Sequence, residues 1–172
     1  MAIPAGISVE KIKSVLEEVT DPEVPVLSVM DLGIVRDIIV TTPDEKSPEH
    51  VEIVITPTYS GCPAMDAIRT NIRMALLQHG IKNSKITTVL SPAWTTDWMS
   101  EAGKEKLKAY GIAPPNPRQQ VCSDRLFSEE AIQCPHCNSY NTKRISEFGS
   151  TACKSLYQCN ECHEPFDYFK CH

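Results

Sequence analysis

Cys134-Pro135-His136-Cys137 and Cys159-Asn160-Glu161-Cys162 are the stretches on which the reading of this chain turns. Two Cys-x-x-Cys pairs separated by 21 residues match the spacing of a four-thiolate zinc ribbon. A two-residue gap lets both sulfurs of a knuckle curl onto one ion. The intervening residues suffice for a hairpin that returns the chain to the first knuckle. Four thiolates leave a tetrahedral ion no open position, which is the structural kind of site. Cys134, Cys137, Cys159 and Cys162 are therefore expected to hold zinc, or iron in the same place. Two disulfides or four unrelated buried thiols are the weaker readings of this spacing.

The whole chain has 172 residues and a net charge of −5. That length allows one core of roughly 110 residues plus a small module. Residues 1–117 hold 11 Lys+Arg against 15 Asp+Glu, and residues 134–172 hold four of each. A neutral ribbon on an acidic chain speaks against nucleic acid as a partner. The first six residues show no basic region and no apolar run of signal length. No apolar stretch approaches 18 residues, so no membrane span is expected. Metal-bound thiolates in a reducing cytoplasm are the simplest account of eight cysteines.

Before the ribbon, Ser8 reads as the cap of a helix whose apolar face is Val9, Ile12, Val15, Leu16 and Val19. Pro22 ends it, because the residue before a proline avoids helical dihedrals. Leu32–Val40 reads as a strand, a polar loop follows with Pro43, Asp44 and Pro48, and Val51–Ile55 reads as the hairpin partner. A second helix follows, with Cys62 at or near its N-cap, Pro63 at its first position and Gly80 just past its end. Ile86–Leu90 is a third strand, and a last helix ends at Gly111. The expected fold is α+β, a small mixed sheet with helices in the order αββαβα, followed by the β ribbon. Pro114, Pro115 and Pro117 mark a stiff linker. The expected domains are residues 1–117, a linker over 118–133 with a short helix at Ser128–Ala131, and the ribbon over 134–172. Its strands are placed near Asn141–Glu147, Ser155–Gln158 and Pro165–Lys170, with a turn at Gly149.

Cys62 lies in Thr58-Tyr59-Ser60-Gly61-Cys62-Pro63, where the start of a helix favours a thiolate. A buried Cys serving as a small apolar residue fits the same local sequence. Asp21, Glu23 and Asp31 flank the first strand. They could meet Cys62 in a mixed thiolate–carboxylate site suited to iron, or simply cap turns. His50 and His79 are isolated, so no base is paired with Cys62. Trp94 and Trp98, four apart, read either as core or as a partner-binding patch.

Asp21-Pro22-Glu23-Val24-Pro25, Asp31-Leu32-Gly33-Ile34-Val35, Thr56–Pro63 and Ser91-Pro92-Ala93-Trp94 resemble the iron–sulfur cluster assembly domain of the SufT type. Adding Trp94–Met99, Phe148–Lys154 and Glu164–Cys171, the chain resembles the PaaD (PaaJ) family, the D components of bacterial phenylacetyl-CoA ring 1,2-epoxidase systems. The resemblance implies a helper and not an enzyme. It would assist maturation of an iron–sulfur cluster or di-iron centre in the oxygenase or reductase components. It also implies that Cys62, Asp21 and Asp31 are the residues of cluster or iron transfer. Cys153, Cys171 and His172 exceed a simple ribbon; they could form a second soft metal site, a disulfide or nothing, with buried thiols favoured.

One thiolate cannot hold a two-iron cluster, which takes four protein ligands, so a homodimer is expected if a cluster bridges two copies. The expected cofactors are structural zinc and a transient iron–sulfur cluster or iron. The alternative functions are a nucleic-acid-binding or scaffolding ribbon without cluster chemistry, and an enzyme with Cys62 as nucleophile.

Overall fold

A computed structural model describes residues 7–41, 50–115 and 132–170. The expected loop prolines at 43 and 48, the 128–131 helix, Cys122, Cys171 and His172 lie outside the described residues. The fold is α+β, in two compact units that divide between Trp94 and Thr95.

In the first unit, α1 spans Val9–Glu17 and is capped by Ser8, whose hydroxyl accepts from Lys11 N–H at 3.2 Å. Its buried face is Ile12, Val15 and Leu16. Three strands follow, β1 (Val35–Thr41), β2 (His50–Ile55) and β3 (Ser84–Thr88), in the order β1-β2-β3. The β1–β2 pair is antiparallel, and β2–β3 is parallel. A parallel neighbour requires a crossover, and α2 (Ala64–Gln78) supplies it. Val51, Ile53 and Ile55 alternate into the core from β2, as Ala64, Ile68, Ile72 and Leu76 do from α2. Gly80 ends α2 as expected, with Gly80 N–H bonded to Leu77 O and Ile81 N–H to Leu76 O.

Two strands are displaced from their expected bounds. Leu32 and Gly33 belong to a turn, in which Gly33 N–H bonds Met30 O, so β1 starts at Val35. β3 begins at Ser84 because its register sets Ser84 opposite Val51 and Thr88 opposite Ile55.

The second compact unit begins before the expected boundary at residue 117. After a 3-10 turn at Thr96–Trp98, α3 runs Glu101–Ala109, and Ile112–Ala113 forms β4. β4 pairs in parallel with β7 (Pro165–Phe169), and β6 (Lys154–Cys159) and β5 (Thr142–Ser146) complete a sheet of order β4-β7-β6-β5. The start of the proposed stiff linker is thus an edge strand of the ribbon sheet. Ala113 is 1% exposed and sits in one cluster with Ile132, Cys134, Tyr157, Cys159, Phe166 and Tyr168. Local sequence at Ile112–Pro115 looks like spacer because a two-residue strand has no periodicity of its own.

Ala113→Asp places an unpaired carboxylate in the core that carries two of the four site cysteines. It should destabilise the second unit by about 3 kcal/mol or more and loosen its metal. Thermal unfolding followed together with metal release by a chromogenic chelator checks this; a pure spacer would tolerate the change.

Candidate metal centre and thiol site

The four ribbon cysteines converge. Cys134 Sγ is 3.7 Å from Cys162 Sγ, and Cys137 Sγ is 3.5 Å from Cys159 Sγ. All four sulfurs lie within 4.8 Å of one another. A tetrahedral ion with metal–sulfur bonds of about 2.3 Å requires sulfurs about 3.8 Å apart. The spacing therefore fits a single ion, and each described cysteine is a free thiol, which removes the disulfide reading.

The two knuckles repeat one another, and the sequence reading missed it. Each is preceded by glutamine and followed by a residue with positive φ, Asn138 at 61° and His163 at 64°. Cys134 N–H bonds Ser139 O, and Cys159 N–H bonds Glu164 O, at 2.9 and 3.0 Å. Gln133 Nε2 donates to Asn138 O, and Gln158 Nε2 to His163 O, each at 3.2 Å. The repeated Gln-Cys-x-x-Cys was the available signal.

The thiols do not titrate alike. The N–H of Cys162 donates to Cys159 and brings that thiol down to about 7. The N–H of Glu164 favours the Cys162 thiolate, but desolvation and the surrounding sulfurs outweigh it and push Cys162 up to about 12. Four adjacent thiolates repel one another, and a bound divalent cation removes that penalty by displacing the protons.

In the first unit, Cys62 closes a turn in which its N–H bonds Tyr59 O at 3.2 Å. Gly61 holds φ at +91°, where a side chain would strain the backbone. The N-cap of α2 is Pro63, expected at the first helical position, and Ala64 is the first helical residue, so Cys62 adjoins the cap. Its thiol is half-buried. Burial raises its pKa first; the N–H of Ala64 lowers it, the charges of Glu23 and Asp21 raise it, and Tyr59 lowers it. The net direction is up, which corrects the expectation of a favoured thiolate. The helix start acts as expected, but desolvation outweighs it.

Asp21 and Asp31 are both buried and hold loops together. Asp21 Oδ1 accepts from Glu23 N–H at 2.7 Å and Val24 N–H at 2.9 Å. Asp31 Oδ2 accepts from the N–H and hydroxyl of Ser28, both at 3.0 Å. The field of Asp21 also reaches Cys62, together with that of Glu23, which the sequence shows only as a flanking acid. A further residue missed is Thr56. Its Oγ1 is buried with no hydrogen-bond partner, on the strand end that leads to Cys62. A buried unpaired hydroxyl costs about 1–3 kcal/mol, yet threonine at a strand end looks ordinary in sequence.

Trp94 packs in the core and is not part of an exposed patch. It is 3% exposed, and its Nε1–H donates to Leu32 O at 2.9 Å. Trp98 is half-buried in the other unit. Cys153 is buried, with its sulfur 3.0 Å from Thr151 Oγ1. His50 Nδ1 meets Asn83 Oδ1, and His79 Nε2 meets Glu18 Oε2, both at 3.1 Å. Among the described residues, no helix is long and apolar enough to cross a membrane.

These two sites define a class, an α+β domain with a half-buried thiol followed by a four-cysteine ribbon. Residues 9–89 match the family described as iron–sulfur cluster assembly protein, and residues 118–170 match the PaaD zinc beta ribbon domain. A protein of Escherichia coli (strain K12), provisionally named as the D component of 1,2-phenylacetyl-CoA epoxidase, is 45% identical over 99% of this chain and 98% of its own length. The chain belongs to that D-component (PaaD) family. An iron–sulfur protein maturation auxiliary factor of Porphyromonas gingivalis (strain ATCC BAA-308 / W83) is 37% identical over 54% of this chain and 83% of its own. The crystal structure of a domain of unknown function, DUF59, from Bacillus anthracis is 29% identical over 57% of this chain and 89% of its own, with a TM-score of 0.49.

Glu23→Gln removes one of the charges that oppose the Cys62 thiolate. Because that charge raises the pKa, its loss must increase the thiolate fraction at fixed pH below the pKa. Iodoacetamide should alkylate Cys62 roughly two- to fivefold faster at about pH 8 in this variant, read by mass spectrometry of the Cys62 peptide. An unchanged rate would mean that Glu23 does not act on the thiol.

Proposed function

We propose that the protein is a non-catalytic accessory subunit that assists maturation of an iron–sulfur cluster or di-iron centre in the oxygenase or reductase components of a phenylacetyl-CoA ring-epoxidase system. The observation that carries this reading is the half-buried Cys62 thiol, which burial and the charges of Glu23 and Asp21 hold towards its protonated form, within an iron–sulfur assembly domain. Those carboxylates disfavour a bare thiolate but favour a thiolate with a cation beside it. Iron arriving as cargo would invert the electrostatics and displace the thiol proton; the carboxylates act on it through their field, since Cys62, Glu23, Asp21 and Asp31 are not gathered as a ready ligand set. When it leaves, the proton returns. A ligand of this kind suits transfer better than storage.

Asp31 supports the same loop through Ser28, and its proposed role is to position Asp21 and its neighbours. A two-iron cluster shared between two copies would take both Cys62 thiolates and two further ligands, and a homodimer is the proposed loaded form. The ribbon ion is zinc, held by Cys134, Cys137, Cys159 and Cys162, and its role is structural. Cys153 stays a buried thiol. The working compartment is the cytoplasm, with no membrane or nucleic-acid partner. A nucleophilic enzyme is the weaker alternative. His50 and His79 are engaged with Asn83 and Glu18, and the thiol is shifted towards its protonated form.

The test is transfer. Wild-type protein reconstituted with iron and sulfide should load the metal-free reductase or oxygenase component, followed by its visible absorbance. Cys62→Ala should slow loading at least tenfold with its ribbon metal unchanged. Equal rates would refute the maturation role.

A further inference from the structure

The two knuckles are alike in backbone and unlike in what steadies them. Pro135 stiffens the first, since its ring fixes φ. His136 seats against Gly111, where an added Cβ would lie 3.3 Å from His136 Cε1. The second knuckle carries Asn160 and Glu161 between its cysteines, both exposed and neither with a ring to fix its backbone. Its steadiness must come from outside the loop.

Asn141, the residue before β5, supplies it. Asn141 is the fourth residue after Cys137, and its counterpart after Cys162 is Phe166, which lies buried in the core. The repeat of the knuckles therefore breaks at this position. Asn141 Nδ2 donates to Glu161 Oε1 at 2.7 Å, and Asn160 Nδ2 donates to Asn141 Oδ1 at 2.8 Å. Asn160 N–H donates to Asn141 O, also at 2.8 Å. One residue thus holds both residues that lie between Cys159 and Cys162. An exposed asparagine commonly caps its own turn, but these side-chain bonds reach 19 and 20 residues along the chain. Asn141 is tied back towards the first knuckle as well. Its N–H donates to Ser139 Oγ at 3.0 Å, and the next residue, Thr142, donates through Oγ1 to Ile132 O at 2.7 Å.

This clasp bears on a metal ligand. The N–H groups of Cys162 and Glu161 donate to the Cys159 sulfur, so holding residues 160 and 161 holds those donors in place. Thr142 pairs with Cys159 in the β5–β6 ladder, and the Asn141–Asn160 bond continues that register. A four-thiolate site has no open position, so an ion leaves only after a ligand swings away. Opening the second knuckle requires the Asn141 bonds to break.

We propose that Asn141 is a positioning residue for the ribbon ion, which holds the second knuckle closed through Asn160 and Glu161 and thereby sets how fast the metal is released. The inference rests on a metal at the four cysteines and is independent of the maturation role of Cys62. Hydrogen-bond partners standing behind metal ligands commonly govern about 10- to 100-fold in affinity. The ligands themselves are untouched, so coordination stays the same while release changes.

The test is release of zinc from the full chain to an excess of chromogenic chelator at neutral pH, beside the thiolate-to-metal absorption of cobalt-loaded protein. Asn141→Ala should release zinc roughly tenfold faster, with the cobalt spectrum of wild type. Asn141→Asp should also release it faster, because two carboxylates then face each other. Adding Glu161→Gln to Asn141→Asp reverses the direction of the hydrogen bond at the net charge of wild type, and should restore the slow rate. Ser150→Ala, which removes an exposed bond to Asp167 at the opposite end of β6, should release zinc as wild type does. A wild-type rate in Asn141→Ala overturns the role of Asn141, as does a double variant no slower than Asn141→Asp. Equal acceleration by Ser150→Ala overturns it in favour of general loosening, and a changed cobalt spectrum in Asn141→Ala overturns it in favour of an altered ligand set. Wild type that takes up neither zinc nor cobalt overturns this inference and the ribbon metal together, and leaves the Cys62 transfer test standing.

Discussion

Four sulfurs gathered within 4.8 Å are the constraint on which the second half of the molecule depends. Thiols this close cannot all ionise without a counter-charge, as the divergence of Cys159 and Cys162 to about 7 and about 12 shows. The cation that relieves the conflict joins two knuckles 21 residues apart, and β5 and β6 are hung between them. Two buried ligands, Cys134 and Cys159, also form part of the apolar cluster with Tyr157, Phe166 and Tyr168. Metal and core are thus one structural element, which is how so short a segment remains ordered.

The first half inverts this logic. Around Cys62 there is one thiol, held partly out of water, and the neighbouring carboxylates make its ionisation harder. A fixed metal site gathers several deprotonated ligands; this arrangement favours a single protonated thiol. The buried, unpartnered Thr56 Oγ1 on the adjoining strand end is a further cost that packing alone does not explain. One unit carries a closed metal centre and the other a poised thiol.

Legibility followed periodicity and spacing. The ribbon ligands were readable because tetrahedral coordination demands that spacing, and α1, α2 and β2 were readable because their apolar residues recur at helical or alternating intervals. The β4 strand was not readable, since Ile112 and Ala113 are extended only because β7 lies beside them. Trp94 read either as core or as part of a patch; its bond to the carbonyl of Leu32, 62 residues away, accompanies its burial. The direction of the Cys62 shift was likewise hidden. Sequence displays a helix start but not the desolvation or the fields of Glu23 and Asp21.

The central claim is that the two sites handle metal differently. The most direct measurement is the zinc, iron and acid-labile sulfide content of protein purified and reconstituted without oxygen, for wild type, Cys62→Ala and Cys134→Ala. The account predicts about one zinc per chain in wild type and Cys62→Ala, with cluster iron and sulfide lost in Cys62→Ala, and zinc lost in Cys134→Ala. Iron and sulfide that persist in Cys62→Ala but vanish with Cys134→Ala would contradict it, because the ribbon would then be the cluster site.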